Sequence, residues 1–251
     1  MKAGKVRKKV LALLLAGTAI LGLTGGGTMQ VEAAGQENAY VDTSSYEQLY
    51  KLYEDYFKLG IACQAMDHWN DPTAEIGNQE KEELINRMFN SMTFGNELKP
   101  AYNFDASSEN LFKVDFAAEE MLEWAKENNM KVRGHVLVWH SQVDPSIFAI
   151  DYQAYADGKL TKSDTAKLDE ECLVDREELL ARLKRYIYGV LEYTYKNGYA
   201  DVIYAWDVVN EAADENQYDG LRRSYWYQII GPDYLLSLIH ISEPTRLQLI
   251  S

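Results

Sequence analysis

Along the middle of the chain, short apolar runs alternate with segments whose apolar residues recur every three or four positions. Leu59-Gly-Ile-Ala-Cys63, bounded by Lys58 and Gln64, predicts a buried strand. Residues 80–90 then place Leu84, Ile85, Met88 and Phe89 on one helical face, and Ser91-Met-Thr-Phe94 reads as a second strand. Residues 115–128 predict a helix whose apolar share is Phe116, Met121, Leu122, Trp124 and Ala125. A third strand, rich in Val, spans residues 131–139. In the long connection 140–201, Leu179, Leu180, Leu183, Ile187, Val190 and Leu191 recur at helical spacing, and Asn197-Gly198 supplies the stop. Residues 202–209 form a fourth strand, and Tyr225 to Ile230 can begin a fourth helix.

Strands alternating with helices at these separations predict parallel βα units, and thus an α/β fold. Four such units are the N-terminal half of a (β/α)₈ TIM barrel, a fold that takes ~250 residues when complete. A doubly wound open sheet competes, but no Gly-rich phosphate loop follows the first strand.

The two ends read differently. Lys2, Lys5, Arg7, Lys8 and Lys9 precede an apolar stretch from Val10 to Leu23, with Ala33 and Ala34 beyond. A basic head, a short apolar middle and a small-residue exit form a secretory signal pattern over residues 1–33, and predict a secreted, extracellular protein. A membrane anchor is the competing reading, and the stretch is short for the ~20 residues of a spanning helix. Residues 34–45 are then a lead and 46–235 the barrel portion. From Leu236 to Arg246 the chain reads LSLIHISEPTR, without a period that continues what precedes it. This run resembles the in-frame translation of a transposase-type sequencing adapter. Residues 236–251 are therefore expected to be foreign, the natural gene to run on past Leu235, and His240 and Glu243 to play no part in any site.

Composition narrows the classes further. A hydrophobic share of 47% with 5 Pro and 16 Gly among 251 residues fits a globular chain. The formal charge of −14 falls to −18 without residues 1–33, which carry five cations and Glu32. That excess argues against nucleic acid or an anionic membrane as partner. Two cysteines, Cys63 and Cys172, are too few for a disulfide framework and read as small buried hydrophobes.

Candidate chemistry gathers where the strands end. Gly95-Asn96-Glu97-Leu98-Lys99-Pro100 follows the second strand. His135, Trp139, His140, Ser141 and Gln142 close the third, and Asp207, Asn210 and Glu211 close the fourth. Singly, each has a structural explanation, a core histidine, a core indole or a helix-starting acid. Together, amides, imidazoles, an indole and carboxyl groups at three successive strand ends exceed what helix caps need. Such a rim suits a sugar: an indole packs on a ring face, amides and Lys bind hydroxyls, and a carboxyl group protonates a leaving oxygen. A metal-dependent hydrolase built from His135, His140, Asp207 and Glu211 is the rival reading. It lacks an HExxH pattern, and strand alternation sends the two histidines to opposite sides.

RGHVLVWHSQ, YAWDVVNEA and NELKP, in this order, resemble the endo-β-1,4-xylanases of glycoside hydrolase family 10 over most of residues 46–235. The resemblance implies a retaining double displacement with Glu211 as general acid/base, and no cofactor or metal. It implies sugar contacts from Asn96, Lys99, His135, Trp139, Gln142 and Asn210, with Asp207 and His140 supporting them. The implied partners are xylan or xylo-oligosaccharides, bound by a protein that is monomeric when complete. A β-1,4-glucanase and a non-catalytic carbohydrate-binding remnant stay open beside it. Two departures stand out. Many relatives carry Glu where this chain has Gly95, so one hydroxyl contact is absent or comes from elsewhere, with Glu97 a candidate. The TELD-like segment that bears the family's nucleophile on the seventh strand is not in the text, so the literal chain is expected to be inactive.

Overall fold

The computed structural model describes residues 45–65, 71–150 and 172–250, with side chains described as far as Glu243. The signal-like residues 1–33, nearly all of the lead 34–45, and the Asp151–Tyr155 portion of the long connection lie outside them. Four strands are present among the described residues: β1 Gly60–Cys63, β2 Ser91–Phe94, β3 Lys131–Val138 and β4 Ile203–Val209. All neighbours are parallel and the order is β1-β2-β3-β4, with Gly60 opposite Ser91, Ser91 opposite Lys131 and His135 opposite Asp207. A doubly wound sheet reverses its strand order at a switch point. This sheet advances one way only, so the fold is α/β with half of a (β/α)₈ barrel.

The helices form where the pattern places them. After a 3₁₀ turn at Leu49–Leu52 come α1 Gln79–Met88, α2 Pro100–Asn103, α3 Phe116–Glu127, α4 Arg176–Lys196, α5 Tyr225–Ile230 and α6 Tyr234–Ile250. Each main helix starts on a side chain that satisfies an orphan N–H: Asn78 accepts from Lys81, Asp115 from Ala117 and Asp175 from Glu178. α4 ends at Asn197 with Gly198 at φ +72°, as the stop signal predicts. The NELKP turn runs directly into α2, because Pro100 sits at a first helical position where its missing N–H costs nothing.

Two apolar clusters hold the layers together. In one, Ala117, Ala118, Met121, Leu122 and Ala125 of α3 lie fully buried on Met92, Phe94 and Val132, while Phe116 points outward at 60% exposure. In the other, Leu179, Leu183, Tyr186, Ile187 and Val190 of α4 pack with Leu137, Val138, Phe148, Trp226 and Tyr234. Each such side chain contributes about 1.5–3 kcal/mol by leaving water. The Trp206 ring lies so close over β3 that a Cβ on Gly134 would fall 2.3 Å from it, so only glycine fits there. Alternation along β3 buries Val132 and Val136 towards the helices and turns Arg133 and His135 to the opposite face. After Leu235 the sequence shows no period that continues what precedes it, yet a helix forms there. α6 runs unbroken through residues 234–250, with Tyr234 and Leu238 in the core but Leu236 and Ile239 at least half exposed. Among the described residues no helix is long and apolar enough to cross a membrane.

Candidate active site

Apart from His135 and Asp207, which lie within β3 and β4, the candidate residues lie at the C-terminal ends of β2, β3 and β4, the end of a TIM barrel that carries chemistry. They fall into two linked groups. At the first, Lys99 Nζ donates to Asn96 Oδ1 at 3.0 Å and to Gln142 Oε1 at 2.6 Å. Gln142 Nε2 in turn donates to Asn96 Oδ1 at 3.0 Å and to the Tyr102 hydroxyl at 3.2 Å. The Lys99 ammonium is also 4.9 Å from the centre of the Trp139 ring, a cation–π contact. Burial pulls the Lys99 pKa below the usual lysine value, against the opposing pull of Glu97 and Glu211.

Glu97 corrects one expectation. Its side chain is fully buried, accepting from the Ala65 N–H at 3.0 Å through Oε1 and from the Asn96 N–H at 2.9 Å through Oε2. Both oxygens are committed to backbone, so Glu97 ties the end of β1 to the end of β2 and does not reach out to a sugar hydroxyl. Beneath it, burial followed by Glu75 and Glu97 pushes the Cys63 thiol up to about 12, so Cys63 is an inert core residue. Cys172 is only half-buried, and both cysteines are free.

The second group surrounds Glu211. Trp139 Nε1 donates to Glu211 Oε2 at 3.1 Å, and His140 Nε2 lies 3.8 Å from the same oxygen. The Trp139 backbone carbonyl accepts from Trp226 Nε1 at 2.9 Å, which fixes the backbone that carries the indole. Asn210 extends the ladder through its N–H to the Val138 carbonyl at 2.9 Å, and its side-chain amide has no partner among the described residues. Glu211 has φ +50° and Gln142 has φ +44°, left-handed backbone costing roughly 1–2 kcal/mol for a residue with a Cβ. Strain of this kind clusters at functional sites, and here it falls on the residues that turn away from β3 and β4.

Below these groups, on the face opposite the helices, His135 Nδ1 is 2.9 Å from Asp207 Oδ2. Arg133 clamps the other oxygen of that carboxylate, Nε at 2.9 Å and Nη2 at 2.5 Å from Oδ1. The Asp207 carboxylate, itself fixed by Arg133, thus orients the His135 ring and leaves Nε2 turned away from it. Arg133 escaped the sequence reading, although its i, i+2 spacing from His135 puts both on one face of β3. His135 thus pairs with Asp207 and His140 with Glu211. No three metal-binding side chains converge among the described residues, so the four groups of the metal-hydrolase reading do not form one site.

Known proteins with this sequence and shape settle the family. The pattern of glycosyl hydrolase family 10 matches residues 48–241, which contain every strand and every residue of the site. The chain belongs to glycosyl hydrolase family 10. Within that family it is 37% identical over 188 residues to endo-1,4-beta-xylanase A of Thermotoga maritima, covering 74% of this chain and 15% of that protein. It is 40% identical over 187 residues to endo-1,4-beta-xylanase A of a Caldicellulosiruptor species, covering 74% of this chain and 23% of that one. Among solved structures it resembles an intracellular xylanase from Thermoanaerobacterium saccharolyticum in complex with xylotetraose. The TM-score is 0.62 at 31% identity, over 80% of this chain and 54% of the solved one. The chain therefore spans under a quarter of the two curated relatives and about half of the solved relative.

These likenesses overturn one expectation. The prediction of a secreted, extracellular protein from residues 1–33 gives way to a solved family 10 relative that is an intracellular xylanase. The physical reason is that a basic head and apolar run speak only to an export apparatus. The barrel itself needs no oxidising compartment, since both its cysteines are free. The matched span also reaches six residues past Leu235, to Ile241.

Proposed function

We propose that the chain is part of an endo-1,4-β-xylanase that cuts internal bonds of xylan by retaining double displacement. The observation that carries this reading is the setting of Glu211. Its carboxylate projects at the open end of β4, held by the Trp139 indole N–H, with the unpartnered Asn210 amide beside it. Glu211 is the general acid/base, protonating the leaving sugar oxygen and then drawing a proton from water. Asn210 binds the hydroxyl next to the reacting carbon, a contact that tightens as the oxocarbenium-like state forms.

Asn96, Lys99 and Gln142 hold sugar on the non-reducing side of the cut, and His135 Nε2 accepts a sugar hydroxyl. Asp207 fixes the His135 ring and His140 flanks Glu211. The xylotetraose and xylotriose bound by family members of similar structure support xylo-oligosaccharides as the ligand class. No step calls for a cofactor or a metal. A retaining mechanism needs a second carboxyl group ~5–5.5 Å from the first. We place it in the half of the family's length that this chain does not span, and expect the 251-residue chain alone to be inactive.

The test is reducing-sugar release from xylan by the full-length product of the source gene. Activity that disappears in Glu211→Ala supports the reading. A full-length protein that binds xylo-oligosaccharides but releases nothing would leave a carbohydrate-binding remnant instead.

A further inference from the structure

The sharpest unexplained feature lies at the first strand end, which no part of the proposed chemistry uses. Gln64 directly follows β1, and its side chain lies over Gly95 at the end of β2. A Cβ built on Gly95 would come within 2.7 Å of Gln64 Cγ and 3.2 Å of Nε2. Glycine at 95 is thus what lets Gln64 lie here, and the two positions form one packed unit. The Gln64 backbone is fixed on both sides, its N–H donating to Glu75 Oε2 at 3.1 Å and its carbonyl accepting from Ile76 at 3.1 Å. The side-chain amide, in contrast, has no hydrogen-bond partner among the described residues and is half-buried. A half-buried primary amide without a protein partner is free to hydrogen-bond a ligand in place of water.

Gly95, over which that amide lies, is followed by Asn96, whose side chain is bound to Lys99 and Gln142. Gln64 follows β1 and Glu211 follows β4, three strand spacings apart. Neighbouring strands lie ~4.8 Å apart, which puts Gln64 on the order of 14 Å from Glu211, farther than one pentose ring reaches. We infer that Gln64 is a sugar-binding residue, its amide hydrogen-bonding a hydroxyl of a xylose unit beyond the one being cleaved, on the Asn96–Lys99 side. This rests on the xylanase reading above and adds to it a determinant of substrate length particular to the Gln64–Gly95 pair.

Gln64→Met keeps the length that fills the space over Gly95 and removes only the amide. In the full-length enzyme, kcat/KM is compared on an aryl β-xylobioside, which reaches past the first sugar, and on an aryl β-xyloside, which does not. The expected result is about a fivefold loss on the xylobioside, the size of one neutral hydrogen bond, with the xyloside within twofold of the parent. An unchanged ratio of the two, whether both rates fall or neither does, overturns the inference while leaving the xylanase reading intact. Wild-type enzyme without activity on any xyloside overturns both.

Discussion

The two groups of the site are built in opposite ways. Around Asn96, Lys99 and Gln142 every polar side chain already has partners within the group, and Lys99 is buried at 7% exposure. Around Glu211 the carboxylate side chain is half exposed, its backbone is strained, and the neighbouring Asn210 amide is unpartnered. The first group is preorganised by its own hydrogen bonds, so it can bind without rearranging. The second is held by the Trp139 indole N–H and otherwise left open at the end of the edge strand β4. On the proposed reading, binding geometry is thus local to the strands present, whereas catalysis would be a property of the closed ring.

Breaking the comparison at its open end should have the largest effect. The 251-residue chain alone is expected to release no reducing sugar. Its edges β1 and β4 each have one paired side among the described residues, so residues 34–251 should aggregate on expression, and a sharp cooperative melt would contradict this. In the full-length enzyme, Glu211→Ala should lower kcat on xylan by about 10³-fold, the scale of general acid–base catalysis. A smaller loss would show that another group delivers the proton.

At the preorganised end, Lys99→Met should lower kcat/KM on xylan by roughly 10–100-fold, the scale of hydrogen bonds to a charged group. It should at the same time raise the melting temperature, because the fold carries the cost of desolvating that ammonium. The sign can be checked with pH. A lysine whose folded pKa is depressed loses its proton sooner in the native state than in the unfolded state. Native stability relative to the Met variant should therefore improve as pH rises through the window just below 10.5. A gap that widens instead would show that Lys99 stabilises the fold. Smallest of all, Arg133→Met frees one oxygen of Asp207 and should cost about threefold in kcat/KM, with a changed pH profile as the carboxylate that orients His135 loosens. An unaltered profile would reduce Arg133 to a surface ion pair.

How far the site could be read in advance follows the range of each interaction. Strands and helices were legible because their signals are local: the Val-rich run of β3, the helical spacing of α4, and Asn197-Gly198 ending it. The strand-end residues were legible because polar groups interrupt apolar runs. Arg133 was not, since its partner Asp207 lies 74 positions away, and neither was Gln64, whose neighbour Gly95 is visible as a cradle only once β1 and β2 are paired. The guess that Glu97 faces the ligand failed for the same reason, because its true acceptors' partners are backbone groups of two different strands' ends. The helix α6 went unpredicted because its apolar residues occupy all sides, and such a sequence shows no stripe to read.

Trp139 touches both groups, with its ring under the Lys99 ammonium and its N–H on Glu211. A cation above an indole and a carboxylate at its nitrogen both change the energy of its excited state. On the proposed reading, Trp139, one of five tryptophans, is a built-in optical gauge once the other four are replaced, shifting when sugar fills the space beside Lys99 and shifting differently when Glu211 takes up a proton.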